Sequence, residues 1–157
     1  MTSNQPWVEK YRPKEFKNIV LDKINTKILS NIIKKKYFPN LLLYGPPGTG
    51  KTTTIINLIK KYHEELGIKG KGLIIHLNAS DDRGINIVRE EIKEFAESIN
   101  MFKSGIKLII LDEADSMTYD AQFALRRVIE KYSYNTRFCL ICNYMNKIIP
   151  AIRSRCM

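Results

Sequence analysis

No stretch of this sequence has the make-up of a secretory leader or a membrane span. Residues 1–6 are polar, and no apolar run approaches the roughly 20 residues that cross a bilayer. A soluble intracellular protein is therefore expected. Cysteine is scarce: three residues in 157 make no disulfide framework, and the odd count points to a reducing compartment. Cys139 and Cys142 form a CxxC, but no second ligand pair follows. They fall in a strand-like run, where side chains three apart face opposite sides, so they read as core thiols rather than metal ligands. Internal repeats and low-complexity linkers are also missing, and the length suits one domain over residues 1–157, without room for a second full lobe. Acid is in deficit, with 16 Asp+Glu against 26 Lys+Arg and a net charge of +10, which favours polyanionic partners. That signal is weak. A bias toward Ile, Lys and Asn gives the same charge without a function, and Lys34, Lys35 and Lys36 read equally as a solvated helix end.

What is present is an alternation of short apolar runs with longer periodic segments, the βαβ pattern of a mostly parallel sheet covered on both faces. Strands are expected at residues 41–44, 73–77, 108–111 and 138–142. Ile85, Val88, Ile92, Phe95 and Ile99 recur at helical spacing after the capping-type Ser80, Asp81 and Asp82. Ala121, Ala124, Leu125, Val128 and Ile129 repeat that spacing. A further helix is expected over residues 22–36, and residues 67–72 read as a Gly/Lys-rich turn.

Two motifs carry chemistry. Gly45-Pro46-Pro47-Gly48-Thr49-Gly50-Lys51-Thr52 matches GxxxxGK[ST], directly after a strand and opening a helix, the context a phosphate-binding loop requires. Its glycines let backbone N–H groups curl around phosphate oxygens at a helix N-terminus. Lys51 is expected to reach the β- and γ-phosphates of ATP, and Thr52 to sit on Mg²⁺. The second motif is an apolar strand ending in Asp112 and Glu113, at the carboxyl edge where α/β sheets bind ligands. Asp112 is the expected metal partner. Glu113 is placed to polarise a water, which suits hydrolysis better than transfer to an acceptor.

Asn143 ends the fourth strand, where it either touches the γ-phosphate or simply caps the strand. Asn78 ends the second strand, where a turn-forming role competes with a hold on Glu113. Asp115 completes the letters D-E-A-D, but a helicase of that name needs a second lobe.

These residues, taken together, resemble the small subunits of replication factor C, the clamp loader of the AAA+ ATPases. The resemblance runs through Pro6-Trp7-Val8-Glu9-Lys10-Tyr11-Arg12-Pro13, the phosphate loop, Leu77-Asn78-Ala79-Ser80-Asp81-Asp82-Arg83-Gly84-Ile85, and Asp112-Glu113-Ala114-Asp115-Ser116-Met117-Thr118. It continues through Ala124-Leu125-Arg126-Arg127-Val128-Ile129-Glu130 and Ser154-Arg155-Cys156. Phe138-Cys139-Leu140-Ile141-Cys142-Asn143-Tyr144 is most similar to the smallest eukaryotic subunit.

The resemblance implies a three-layer α/β P-loop domain and an ATPase whose cofactors are ATP and Mg²⁺. It implies that Val8, Tyr11, Arg12 and Pro13 line the adenine and ribose side, with Thr53 joining the loop, and that Asn143 is a sensor. Arg155 would be an arginine finger serving the neighbouring subunit's ATP; without the resemblance it reads as a surface arginine. Implied partners are other clamp-loader subunits in a hetero-oligomer of five, a ring-shaped sliding clamp, and primed template DNA, in the nucleus if the source is eukaryotic. Arg83 and Arg89 are candidates for DNA phosphate contact, each with a solvated or ion-paired alternative. Arg126 and Arg127 are candidates for facing a neighbour.

Against the family pattern, the sequence stops before a fifth strand, a helical lid and a collar. An exposed edge on the phosphate-loop strand and weak or no hydrolysis by this piece alone are therefore expected. Val20-Leu21-Asp22-Lys23 stands where many relatives carry a Gln. Competing readings are another AAA+ DNA-processing ATPase and a subunit that binds nucleotide without turning it over. Ser154-Arg155-Cys156 argues against the first, and Glu113 against the second.

Overall fold

A computed structural model of the chain describes residues 6–68, 71–80, 85–98 and 105–157. A short helix α1 (Trp7–Lys10) precedes α2 (Lys23–Lys35), after which strands and helices alternate: β1 (Leu41–Tyr44), α3 (Lys51–Glu65), β2 (Ile74–Asn78), α4 (Ile85–Glu97), β3 (Lys107–Asp112), α5 (Tyr119–Tyr132), β4 (Thr136–Cys142) and α6 (Pro150–Arg153). The four strands form one parallel sheet in the order β1-β4-β3-β2.

The expected strands all form. The second begins one residue later than its apolar run suggested, because Leu73 is drawn into a 3₁₀ turn before β2 and is buried there. Helix boundaries follow local chemistry. Asp22 caps α2 by accepting from the N–H groups of Ile24 and Asn25 at 2.8 and 2.9 Å. Thr118 opens α5 by accepting from Ala121.

Alternation along the central strands sorts the core into two layers. On one face Leu108, Ile110, Cys139 and Ile141 pack with Leu29 and Ile32 of α2 and with Ile55, Leu58 and Ile59 of α3. On the other, Ile109, Leu111, Phe138, Leu140 and Cys142 pack with Ile92 of α4, Leu125 and Ile129 of α5, and Ile152 of α6. This is the three-layer arrangement expected from the sequence, and each fully buried Leu, Ile or Phe contributes roughly 1.5–3 kcal/mol of transfer free energy. Cys139 and Cys142 lie on opposite faces of the sheet. Burial pushes the Cys142 thiol up to about 11, with the Asp115 carboxylate adding to the shift, so it is a packed thiol and not a ready thiolate.

Because every strand runs the same way, all four carboxyl ends reach one edge of the sheet, where Tyr44, Asn78, Asp112 and Asn143 gather. The outer edge of β1 is partly taken. Met157 accepts from Leu42 N–H and donates to the Asn40 carbonyl, both at 2.9 Å. No helix among the described residues is long and apolar enough to cross a membrane.

Candidate nucleotide-binding site

The phosphate loop links β1 to α3 through glycines with positive φ. Gly45, Gly48 and Gly50 stand at +150°, +77° and +80°. Nothing lies within 4 Å of a Cβ added at Gly48 or Gly50, so there the requirement for glycine is conformational rather than spatial. Thr49 Oγ1 donates to the Pro46 carbonyl and Thr54 Oγ1 to that of Gly50, which tie the loop to itself and to the first turn of α3.

Lys51 Nζ donates to the carbonyls of Gly45 and Pro46 at 2.8 and 2.9 Å, and to Asn143 Oδ1 at 2.9 Å. The last bond spans 92 residues and joins the loop to the end of β4. Thr52 Oγ1 donates to Asp112 Oδ2 at 2.8 Å, which brings the hydroxyl of one motif onto the carboxylate of the other.

Asp112 ends β3, and the chain then turns sharply. Glu113 adopts a left-handed φ of +53°, held by its N–H to Asp112 Oδ1 and by Ser116 N–H and Oγ on its carbonyl. A non-glycine residue in that region costs about 1 kcal/mol, a strain often found where a side chain must be aimed out of the regular backbone. Glu113 is exposed and lines the same cavity as Lys51, Thr52, Asp112 and Asn143. That cavity measures about 470 Å³, within the range of small-molecule sites.

Its other wall is the segment after α1, where Tyr11, Arg12 and Pro13 line the cavity with Pro47, Gly48, Gly50 and Thr53. Two long-range bonds hold that segment on α3: Arg12 Nε donates to Thr53 Oγ1 at 3.0 Å, and Asn57 Nδ2 to the Pro13 carbonyl at 2.9 Å. The side chains of Val8 and Arg89 and the whole of Arg83 lie outside the described residues.

Asn78 is committed locally. Its Oδ1 accepts from Ser80 N–H and Oγ at 3.0 and 2.9 Å, the turn-forming alternative, and it has no bond to Glu113 among the described residues. Arg155 stands apart from the cavity, two residues beyond α6, with its guanidinium on the Glu130 carboxylate and the Ala151 carbonyl.

Two residues near the cavity were given no role by the sequence. Asp115 Oδ2 accepts from the N–H groups of Asn143 and Tyr144 at 3.1 and 3.0 Å, fixing the backbone that carries the Asn143 amide. Its position after the paired carboxylates was visible, but its partners 28 and 29 residues away were not. His76 Nε2 lies 3.7 Å from Asp112 Oδ2 across the β2–β3 pair, and only the strand register reveals it.

The donor set fits nucleotide and metal. Thr52 and Asp112 offer a hydroxyl and a carboxylate, the hard oxygen ligands and water-holders that Mg²⁺ takes. The loop offers backbone N–H groups and an ammonium to phosphate.

Comparison with known proteins agrees with this geometry. The family described as "ATPase family associated with various cellular activities (AAA)" matches residues 41–157. The chain is 54% identical over 153 residues to replication factor C subunit 5 of Homo sapiens, covering 98% of this chain and 44% of that protein. It is 54% identical over 154 residues to replication factor C subunit 3 of Schizosaccharomyces pombe, with the same coverage. The chain thus spans less than half the length of these curated relatives. Among solved structures, a DNA polymerase III gamma subunit-related protein of Thermotoga maritima superposes with a TM-score of 0.65 at 19% identity, covering 87% of this chain and 44% of that one. Thermotoga maritima RuvB gives 0.62 at 19%, covering 92% and 46%. These likenesses concern the fold alone.

Proposed function

The chain belongs to the AAA family of ATPases, and from that premise we propose that it is the ATP-binding and ATP-hydrolysing part of a DNA sliding-clamp loader subunit. The observation that carries the nucleotide reading is the junction of two distant motifs. Thr52 Oγ1 and Asp112 Oδ2 are 2.8 Å apart across 60 residues, with Lys51 bonded to Asn143 beside them. A glycine-rich corner or an acidic turn alone would not account for that convergence.

In this reading Thr52 and Asp112 would hold Mg²⁺, which when bound would neutralise charge on the phosphates of ATP. The three N–H groups of Lys51 are spent on Gly45, Pro46 and Asn143, so reaching phosphate exchanges at least one carbonyl partner for a phosphate oxygen. Asn143, released or shared, senses the γ-phosphate. Glu113, aimed out of the strand by its left-handed backbone, orients the attacking water and takes its proton. Val8, Tyr11, Arg12 and Pro13, with Thr53, form the base and ribose side, which Asn57 and Thr53 anchor to α3.

Arg155 supplies its guanidinium to ATP on a neighbouring subunit, stabilising charge that spreads in the transition state and making hydrolysis depend on assembly. Primed DNA is gripped through its phosphates, with Arg83 and Arg89 as contacts. The partners are other clamp-loader subunits and a ring-shaped clamp, and the setting is the nucleus if the source is eukaryotic. Similarity to replication factor C subunits supports this assignment.

The test is steady-state ATP hydrolysis by the full-length protein assembled with its partners, with and without clamp and primed DNA, beside Lys51→Ala and Arg155→Ala. A rate raised by clamp and DNA together, and lost with Lys51→Ala, is expected. A rate indifferent to both would move the assignment to another AAA role.

A further inference from the structure

Arg155 is a long side chain two residues beyond the four-residue helix α6, yet its guanidinium is held at several points. Its Nη2 contacts the carboxylate of Glu130 on α5, and its Nη1 donates to the Ala151 carbonyl at 2.6 Å and to Ser154 Oγ at 3.4 Å. Its backbone is fixed as well: the N–H donates to the Ile152 carbonyl at 3.0 Å, and the carbonyl accepts from Asn40 Nδ2 at 3.4 Å. The three side-chain contacts engage three of the five N–H donors of a guanidinium, leaving two for phosphate oxygens.

We infer that Glu130 is a positioning residue for Arg155, orienting its guanidinium toward phosphate bound on a neighbouring domain; this rests on the trans-acting reading of Arg155 proposed above. Arg126 lies one turn before Glu130 on α5, and Arg153 lies two residues before Arg155. The Nε atoms of both are buried without a partner among the described residues. Of these three arginines of α5 and the α6 segment, Arg155 is the one whose guanidinium is paired with Glu130.

The pair cannot be explained as a structural clamp of the fold. The two side chains keep 35% and 42% of their surface exposed, and exposed ion pairs contribute little to stability. For the same reason Glu130 cannot withhold the arginine from a triphosphate, whose charge is several times greater. Its effect is on geometry: it narrows the rotamers of a side chain that otherwise loses much of its freedom on reaching the transition state.

The experiment measures ATP turnover by the assembled full-length complex carrying Glu130→Ala, Glu130→Gln, Arg155→Ala or the double change Glu130→Ala with Arg155→Ala. Arg155→Ala tests the reading beneath the inference; if it leaves turnover unchanged, both fall. Given a loss with Arg155→Ala, Glu130→Ala is expected to lower kcat about tenfold with KM unchanged, short of the roughly hundredfold that gross misplacement of a group can cost. Glu130→Gln, which keeps a hydrogen-bond acceptor, should retain an intermediate rate, and the double variant should match Arg155→Ala alone. Melting temperatures of the single variants should stay at the parent value. Full turnover in Glu130→Ala, or a further loss when it is added to Arg155→Ala, would overturn the positioning role while leaving the finger intact.

Discussion

The two ends of the sheet each carry a lysine that donates to three or more acceptors, and they use it in opposite ways. At the carboxyl edge Lys51 bonds two loop carbonyls and the Asn143 amide, half-exposed in a cavity of about 470 Å³. At the amino edge Lys107 opens β3 with only 4% of its surface exposed, and its Nζ donates to the carbonyls of Phe95 and Ala96, at 2.7 and 2.9 Å, and of Ser98. These carbonyls lie in the last turn of α4 and just past it, so Lys107 acts as a C-terminal cap delivered from another element, beside Ser98 Oγ on the Phe95 carbonyl and Asn135 Nδ2 on that of Ala96. Burial holds its ammonium below the usual lysine range. Arg137 plays a similar part nearby, donating Nε to the Phe38 carbonyl at 3.0 Å and Nη1 to that of Thr136 at 2.9 Å. A cation whose partners all lie inside the protein closes the structure, whereas one whose partners border a cavity can exchange them for a ligand.

The sharpest way to break this comparison is to remove each lysine in turn. Lys51→Ala is expected to lower the rate of ATP hydrolysis by roughly 10²–10³-fold, about 3–4 kcal/mol of transition-state stabilisation, with a small change in melting temperature. Lys107→Met keeps the volume but takes the ammonium from the end of α4, where the Phe95 and Ala96 carbonyls keep Ser98 Oγ and Asn135 Nδ2 and the Ser98 carbonyl loses its lysine donor, which costs about 1–2 kcal/mol of stability. It should accelerate amide exchange in the last turn of α4 without altering hydrolysis below the melting transition. If Lys107→Met slowed hydrolysis in a fully folded protein, or Lys51→Ala unfolded it, the division between the two ends would be wrong.

A smaller effect is expected where the carboxyl edge has its own structural support. Asp115 has no hydrogen bond to the phosphate loop among the described residues, yet its carboxylate fixes the N–H groups of both Asn143 and Tyr144. Asp115→Ala should cost about 1–2 kcal/mol of stability through two lost charge-assisted bonds. It should also lower kcat several-fold as the Asn143 amide drifts. Asp115→Asn, which retains one acceptor oxygen, should recover most of the stability. Differential scanning calorimetry beside single-turnover hydrolysis separates the two losses.

The same division explains what the sequence disclosed. The phosphate loop and the Asp112-Glu113 strand end were legible because backbone conformation and chemistry are encoded there within eight contiguous residues. The alternation of apolar runs identified all four strands and the sorting of Cys139 and Cys142 to opposite faces. Lys107 was not legible. It sits beside an apolar run, where a lysine ordinarily marks a solvated strand end, and only the packing of α4 against the sheet turns it inward. The anchoring of Pro13 by Asn57, the hold of Asp115 on Asn143, and the pairing of Glu130 with Arg155 were hidden for the same reason. Each joins residues 25 to 44 positions apart, and no local periodicity reports such a distance.

The finest test concerns His63, in the last turn of α3 and so at the end of that helix away from the phosphate loop. It is buried, its Nε2 has no partner among the described residues, and burial holds its imidazole below the usual 6.5. The unfolded chain binds a proton at about pH 6.5, whereas the folded chain resists protonation until the pH is lower. Between those two values the unfolded state carries more protons, so stability falls as pH drops below 6.5 and is flat above it. Melting temperatures at pH 7.5, 6.5 and 5.5 should therefore decline only over the second interval, a range above most carboxylate titration. His63→Gln should flatten that decline whatever it does to the absolute melting temperature. Because His63 belongs to the closed end of the molecule, nucleotide affinity measured over the same interval should not follow its titration. An affinity that fell in step with the wild-type melting curve, and recovered its pH independence in His63→Gln, would mean that α3 transmits strain from its last turn to the loop at its first.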